Sequence, residues 1–221
     1  MELFQCIERR RSNRVFIQKG VDKEILLKVL RAANRSPSYM NTQPWEVFVV
    51  AGEKKDALAK ILFEQALSEI DPSPDFPFPK EWPKALATRA KEHRLRRFKA
   101  LGIDPEDSET VRESYMKNFR FFDAPCVIFV GMQRSLTSWS VFDLGLFVHG
   151  LLLGLEAQGL GGCPQAMPTA YPDLIRRELE LPETICLALA ISLGYPDSEA
   201  PVNKYHSTRR DLSEFVRWYG F

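Results

Sequence analysis

A chain of 221 residues, 45% apolar and 27% charged, is long enough for one sizeable core and has the ordinary composition of a soluble globular protein. Thirty Lys and Arg against 29 Asp and Glu leave a formal net charge of +1, so no long-range field recruits nucleic acid or an anionic membrane, and neither is expected as a partner. The four cysteines and three histidines lie far apart, without CxxC or metal-ligand spacing, which reads as reduced thiols in a cytoplasmic protein with no metal site.

The opening residues, Met-Glu-Leu-Phe-Gln, carry no signal-peptide pattern. Leu3, Phe4 and Ile7 mark one face of a short first helix. Asp22 is a candidate N-cap for a second, with Ile25, Leu26, Val29, Leu30 and Ala33 at helical spacing and Pro37 as its stop. Residues 46–51 read as a strand and 53–70 as a helix with Leu58, Ile61, Leu62 and Ala66 on one face. Pro72, Pro74, Pro77, Pro79 and Pro83 then forbid regular helix or central strand. A basic run, 84–99, and an acidic one, 104–113, follow. Residues 71–118 are therefore either a solvated surface decoration or a lid, since long insertions in compact domains are often functional. Residues 126–131 and 185–193 are apolar almost throughout, as central strands covered on both faces are. Between them, 139–158 reads as a helix. Its apolar run holds Asp143 and His149, too short and too polar for a membrane span. It is instead a helix buried in the core or against another subunit, with Gly145, Gly150 and Gly154 permitting close approach. Further helices are expected at 170–179 and 211–219. Strands interleaved with helices predict an α+β, α/β-sandwich fold: one domain over 1–221 with a central mixed sheet, and 71–118 inserted as a helical lid.

Two segments carry the chemistry. Arg10, Arg11, Ser12 and Arg14 put three guanidinium groups and a hydroxyl within a few residues, a set that grips phosphate by charge-assisted hydrogen bonds. Soon after, Ser36-Pro37-Ser38-Tyr39-Met40-Asn41-Thr42-Gln43-Pro44-Trp45 packs short polar side chains, a proline turn and an indole before an apolar strand. Such a loop offers amide and hydroxyl partners to a planar polar heterocycle. A third segment, Gly159-Leu160-Gly161-Gly162-Cys163-Pro164-Gln165-Ala166-Met167, admits close backbone approach through its glycines. It is no GxGxxG fingerprint, because Pro164 stands where the last glycine would be needed, so a Rossmann site for NAD(P)H is unsupported.

In this order and spacing the segments resemble the nitroreductase family of flavoenzymes, with Gly194-Tyr195-Pro196 and Phe121-Phe122-Asp123-Ala124-Pro125 also fitting. The resemblance lapses from about 71 to 118. It implies flavin mononucleotide (FMN) as cofactor, NAD(P)H as electron donor and a small aromatic acceptor such as a nitroaromatic or quinone. Arg10, Ser12 and Arg14 match the phosphate-gripping positions, Arg11 a flavin-edge contact, and Arg209, rather than Arg210, the C-terminal basic residue that folds back onto the phosphate. Pro37, Ser38, Tyr39 and Asn41 match residues that meet the flavin ring, supported by Gln43, while Trp45 is assigned to core packing. Pro164, Gln165 and Ala166 fall against the ring, and either Arg120 or Asn118 near its pyrimidine. No protein side chain is assigned as a catalytic group, because the flavin carries the reactivity. The family resemblance implies a homodimer with the flavin in its interface. The alternatives are another flavin reaction on the same scaffold (ene reduction, reductive dehalogenation, flavin fragmentation) or a non-catalytic flavin-binding protein.

Overall fold

The computed structural model describes residues 2–68 and 70–221. Four strands, β1 (Glu46–Ala51), β2 (Cys126–Gln133), β3 (Gly161–Gln165) and β4 (Ile185–Gly194), form one sheet in the order β1-β2-β4-β3. All three pairings are antiparallel, which corrects the expected mixed sheet. Among the described residues, parallel pairing survives only as an isolated bridge between Ser12 and Gly162. Helices between successive strands suggested parallel crossovers, but the long connections bring each strand back in the opposite sense. β3 was not expected as a strand; its two glycines and proline hide the usual strand composition.

Helices cover both faces. α2 (Lys23–Ala33) starts at Asp22, whose carboxylate accepts the Glu24 N–H at 2.8 Å. With α6 (Ser138–Ala157) it packs Leu26, Val29, Leu144, Phe147, Leu151 and Leu155 onto Cys126, Ile128, Val130 and Ile191. On the other face, α3 (Gly52–Leu67) and α7 (Pro172–Leu179) bring Leu58, Leu62 and Ile175 against Val127, Phe129 and Ala190. β2 thus sends alternate side chains into two cores, which explains its unbroken apolar sequence. The helix expected over 53–70 ends at Leu67, and the part of that expectation at Glu69 lies outside the described residues.

The glycines of α6 divide. A Cβ on Gly154 would lie 3.1 Å from Val29 Cγ1, and one on Gly150 3.0 Å from Ser36 Oγ, so these two set the close approach of α2. Gly145 has nothing within 4 Å. By length and composition α6 could cross a membrane, but its Leu144, Phe147, Leu151 and Leu155 are committed to the core described above.

The proline-rich stretch has no regular structure, yet it is fastened down. Asp75 accepts hydrogen bonds from the Leu187 N–H at 2.9 Å, from Arg134 at 2.9 Å, and from the buried Arg176. Ser73 N–H bonds the Ala170 carbonyl, while Phe76 and Phe78 pack against the two cores. Beyond this strap, the basic run forms α4 (Lys84–Leu101), and α5 (Ser108–Met116) follows, capped by Asp107. The helix expected over 211–219 is only a 3₁₀ turn, Leu212–Glu214, closed by an Asp211/Glu214 capping box. It goes no further because Leu212, Phe215 and Trp218 stay exposed, with no packed stripe to extend it.

Candidate functional site

α1 (Leu3–Arg9) ends against α6, where Arg9 pairs with Glu156 at 3.3 Å. The chain then runs along the open edge of β3, and the Asn13 N–H donates to the Gly162 carbonyl at 3.2 Å. Gly161 is obligatory here, because a Cβ would fall 2.4 Å from Asn13 Oδ1. Behind the segment, the buried Asn203 accepts the Arg14 N–H at 2.8 Å and donates to the Val15 and Asp197 carbonyls at 2.7 and 2.9 Å. Asn13 and Asn203 were not singled out from the sequence, where a buried asparagine leaves no pattern. Together they fix the path of the arginine segment.

That path collects positive charge. Arg10, Arg14 and Arg97 all bear on the buried Cys163, whose thiol burial pushes up despite its contact with the Ser12 hydroxyl. Burial holds Arg10 and Arg97 below the usual guanidinium range, and a neighbouring cation adds to each shift, Arg209 for Arg10 and Arg14 for Arg97. His93, 3.2 Å from the Tyr205 hydroxyl, is also held below the ordinary histidine value, first by burial and then by Arg97, Arg14, Arg96 and Arg209. Arg14 Nε and Arg97 Nε are buried with no hydrogen-bond partner among the described residues. Buried donors and like charges without an acceptor are costly. A phosphate monoester, with a charge near −2 and three acceptor oxygens, would satisfy them. The donor set therefore fits the phosphate of FMN.

Arg97 belongs to α4, within the basic run that the sequence leaves open as surface decoration or lid. Its guanidinium lies 5.3 Å from the Phe98 ring and 5.9 Å from Tyr115, while Arg14 lies 5.8 Å from Phe122. Only its place beside the buried Phe98 distinguishes it in sequence from the exposed cations around it.

The other expected residues divide. Arg209 reaches the cluster electrostatically but bonds its own segment, through Ser207 Oγ at 2.7 Å. Arg210 turns away over Phe215, at 4.3 Å. Arg11 reaches His206 at 2.8 Å. On β3, Gln165 is buried: its amide donates to Asn118 Oδ1 at 3.1 Å, and its carbonyl oxygen accepts the Ser192 hydroxyl. Pro164 and Ala166 are exposed on the opposite side. Because the Gly162 carbonyl is already turned outward to Asn13, alternation turns the Pro164 carbonyl to the open edge too, whereas Ala166 lies past the strand and its carbonyl accepts from Thr169. Between Arg120 and Asn118, Asn118 is the residue at Gln165. The Arg120 guanidinium is instead tied to Asp123 at 2.8 Å, in a surface recess with Lys55, Lys60 and Phe63.

The second motif lies elsewhere. The Tyr39 N–H bonds the buried Asp143 carboxylate at 3.1 Å, the Tyr39 ring stacks 5.8 Å from Trp139, and Ser38 Oγ accepts the Gln43 N–H at 2.9 Å. Met40, Asn41 and Gln43 adopt left-handed backbone angles (φ 49°, 58° and 48°), which turn a polar loop outward. Pro37, Tyr39, Asn41 and Gln43 are exposed. Trp45 packs on Phe147, centroids 4.9 Å apart, as expected of a core residue. Asp143 and Glu156 are 13 positions apart on α6, or about 20 Å along its axis. The loop and the cation cluster therefore sit toward opposite ends of one helix, and no hydrogen bond or ion pair joins them among the described residues.

The model of the Nitroreductase family matches residues 7–195. The chain is 33% identical over 213 residues to the nitrobenzene nitroreductase of Ectopseudomonas oleovorans, covering 95% of this chain and 93% of that one. It is 32% identical to the 4-nitrobenzoate reductase of Pseudomonas putida, covering 96% and 93%. Among solved structures, it superposes with a TM-score of 0.93 and 32% identity on the FMN-dependent nitroreductase NfnB from Mycobacterium smegmatis in complex with NADPH, covering 99% of this chain and 100% of that one.

Proposed function

The chain belongs to the nitroreductase family, and on that premise we propose that it is an FMN-dependent oxidoreductase passing electrons from NAD(P)H to a small aromatic acceptor, a nitroaromatic or a quinone. The observation that carries this reading is the group of guanidiniums around Ser12 and Cys163, with two buried Nε–H donors lacking any partner among the described residues. Bound FMN supplies the two-electron chemistry, and the protein supplies binding, orientation and electrostatics. Arg10, Arg14, Arg209 and Ser12 hold the phosphate. Pro164 and Ala166, exposed beside the glycine-rich edge of β3, form an apolar wall for a flat ring, and the buried Gln165 stiffens that wall through Asn118 and Ser192.

The functional unit is a homodimer. Leu144, Phe147, Leu151 and Leu155 face the core, but Trp139 and Phe142 are each 63% exposed, beside Met40 at 82%. A contiguous apolar surface of this kind suits a subunit interface. A two-fold axis with the α6 helices antiparallel would set the Asp143 end of one against the Glu156 end of the other. Each cation cluster would then meet the partner's polar loop, where the Asn41 amide has a donor and an acceptor for a pyrimidine edge. Residues 71–118 act as a lid over this site within a single domain, and the four buried thiols suit a cytoplasmic location.

Anaerobic reduction tests the reading. The protein should purify yellow with about one FMN per chain, bleach on addition of NADPH or NADH, and regain colour when a nitroaromatic or quinone is added. A yellow protein that neither nucleotide bleaches would make it a flavin-binding protein without this activity.

A further inference from the structure

We propose that Arg97 of α4 is a direct ligand of the cofactor's phosphate, so that the 71–118 segment is a clasp closed by the phosphate as well as a cover for the acceptor. The inference rests on FMN being the cofactor, and its starting point is an imbalance. Arg97 is half-buried, and a guanidinium withdrawn from solvent is rarely left unpaired, yet it has no ion pair among the described residues and its Nε is buried without an acceptor. Its neighbours make this worse, since Arg14 adds to the penalty of burial.

The surroundings orient the group without satisfying it. Phe98, 1% exposed, anchors the helix and lies 5.3 Å from the guanidinium, and Tyr115 of α5 flanks it at 5.9 Å. Phe98 and Tyr115 themselves meet edge to face, centroids 6.2 Å apart. Both helices of the insertion therefore shape one guanidinium site, whose planar face is covered while its Nε–H lacks an acceptor. Arg14, aligned by Phe122, shows the same condition from the opposite side, with its own Nε orphaned. Two guanidinium forks with unused buried donors, repelling each other and both bearing on Cys163 beside the Ser12 hydroxyl, suit an oxyanion with several acceptor oxygens. α4 is also docked near the site by His93 on Tyr205, one residue beyond α8 (Pro201–Lys204). Loss of the anion would leave Arg14 and Arg97 to repel each other across this contact, loosening α4.

The test compares FMN with riboflavin, which lacks the phosphate, in wild type, Arg97→Ala, Arg97→Gln and the control Lys91→Ala, an exposed cation of the same helix. Affinities are read from flavin fluorescence released on diluting the loaded protein, and the fold from circular dichroism. A charge-assisted hydrogen bond lost to truncation weakens FMN binding roughly tenfold or more. Both Arg97 variants should show this loss while riboflavin affinity stays constant, and Lys91→Ala should match wild type. Trypsin, which cuts after the many cations of α4, should be blocked there by saturating FMN in wild type and not in Arg97→Gln. If FMN and riboflavin weaken equally, Arg97 only supports the fold and the inference is wrong. If the Arg97 variants bind FMN normally while Arg14→Ala does not, the phosphate site stands and the clasp is refuted. Equal wild-type affinity for FMN and riboflavin would overturn both.

Discussion

If each flavin site is built from two chains, inactive variants with different lesions must rescue each other. Arg14→Ala/Arg209→Ala removes cations near the Glu156 end of α6, and Asn41→Ala removes the amide near the Asp143 end, about 20 Å away along the same helix. In a two-fold dimer, each homodimeric variant carries two damaged sites. A mixed dimer carries one site with both lesions and one with every residue intact. Random reassortment of equal amounts makes about half of all dimers mixed, so the mixture should recover about a quarter of wild-type activity, or half per mixed dimer. Differently tagged variants would be unfolded and refolded together with FMN. Mixed dimers would be isolated by tandem affinity, and nitroaromatic reduction measured with a saturating nucleotide. Isolated mixed dimers that stay inactive would mean that each site is assembled within one chain, and the antiparallel α6 arrangement would be wrong.

Two further expectations concern stability. Asp75→Ala strands the buried guanidinium of Arg176, whose side chain is 3% exposed, with Asp173 at 2.6 Å and the Ile185 carbonyl as its remaining partners. Breaking such a pair costs about 3–5 kcal/mol, or a melting temperature lower by roughly 6–20 °C for a chain of this size, and a loss below about 1 kcal/mol would show that the strap is not held by Asp75. Burial alone would raise the Asp75 carboxyl, but the Leu187 N–H, Arg176 and Arg134 outweigh it and hold the group below the usual value, so this stabilisation is present above the ordinary aspartate range and is lost as pH falls below it. His93 is held below the ordinary histidine value by burial and by its four arginine neighbours, so the unfolded chain binds the proton more readily. Stability should fall as pH drops through about 6.5, and His93→Gln should flatten that slope; an unchanged slope would show that His93 is not the group responsible.

The sequence was most legible where one local pattern meets one physical demand. Asp22 caps α2 and the apolar runs become β2 and β4, because each is decided within a few residues, while α2 already ends at Ala33, short of the proline expected to stop it. The arginine segment pointed to a phosphate only together with the polar loop, because three guanidiniums and a hydroxyl standing alone read as readily as a solvated charge run at a helix end. Strand direction was not legible, since it depends on where long connections return, and neither was β3, whose Gly161 answers to Asn13 across a contact almost 150 positions away. The instructive miss is Arg97. A run of seven cations on 84–99 looks like solvated surface, and for most of them the structure agrees. What separates Arg97 is that Phe98 and Tyr115 bury the helix at that turn, and that Arg14 arrives from a distant segment to face it. Local sequence records the charge but not whether tertiary contact will remove its solvent, and removal of solvent turns a surface cation into a ligand in need of an anion. Cofactor sites assembled from distant segments therefore hide their last contributors among residues that look ordinary, and an orphaned buried donor is the mark by which the folded chain reveals them.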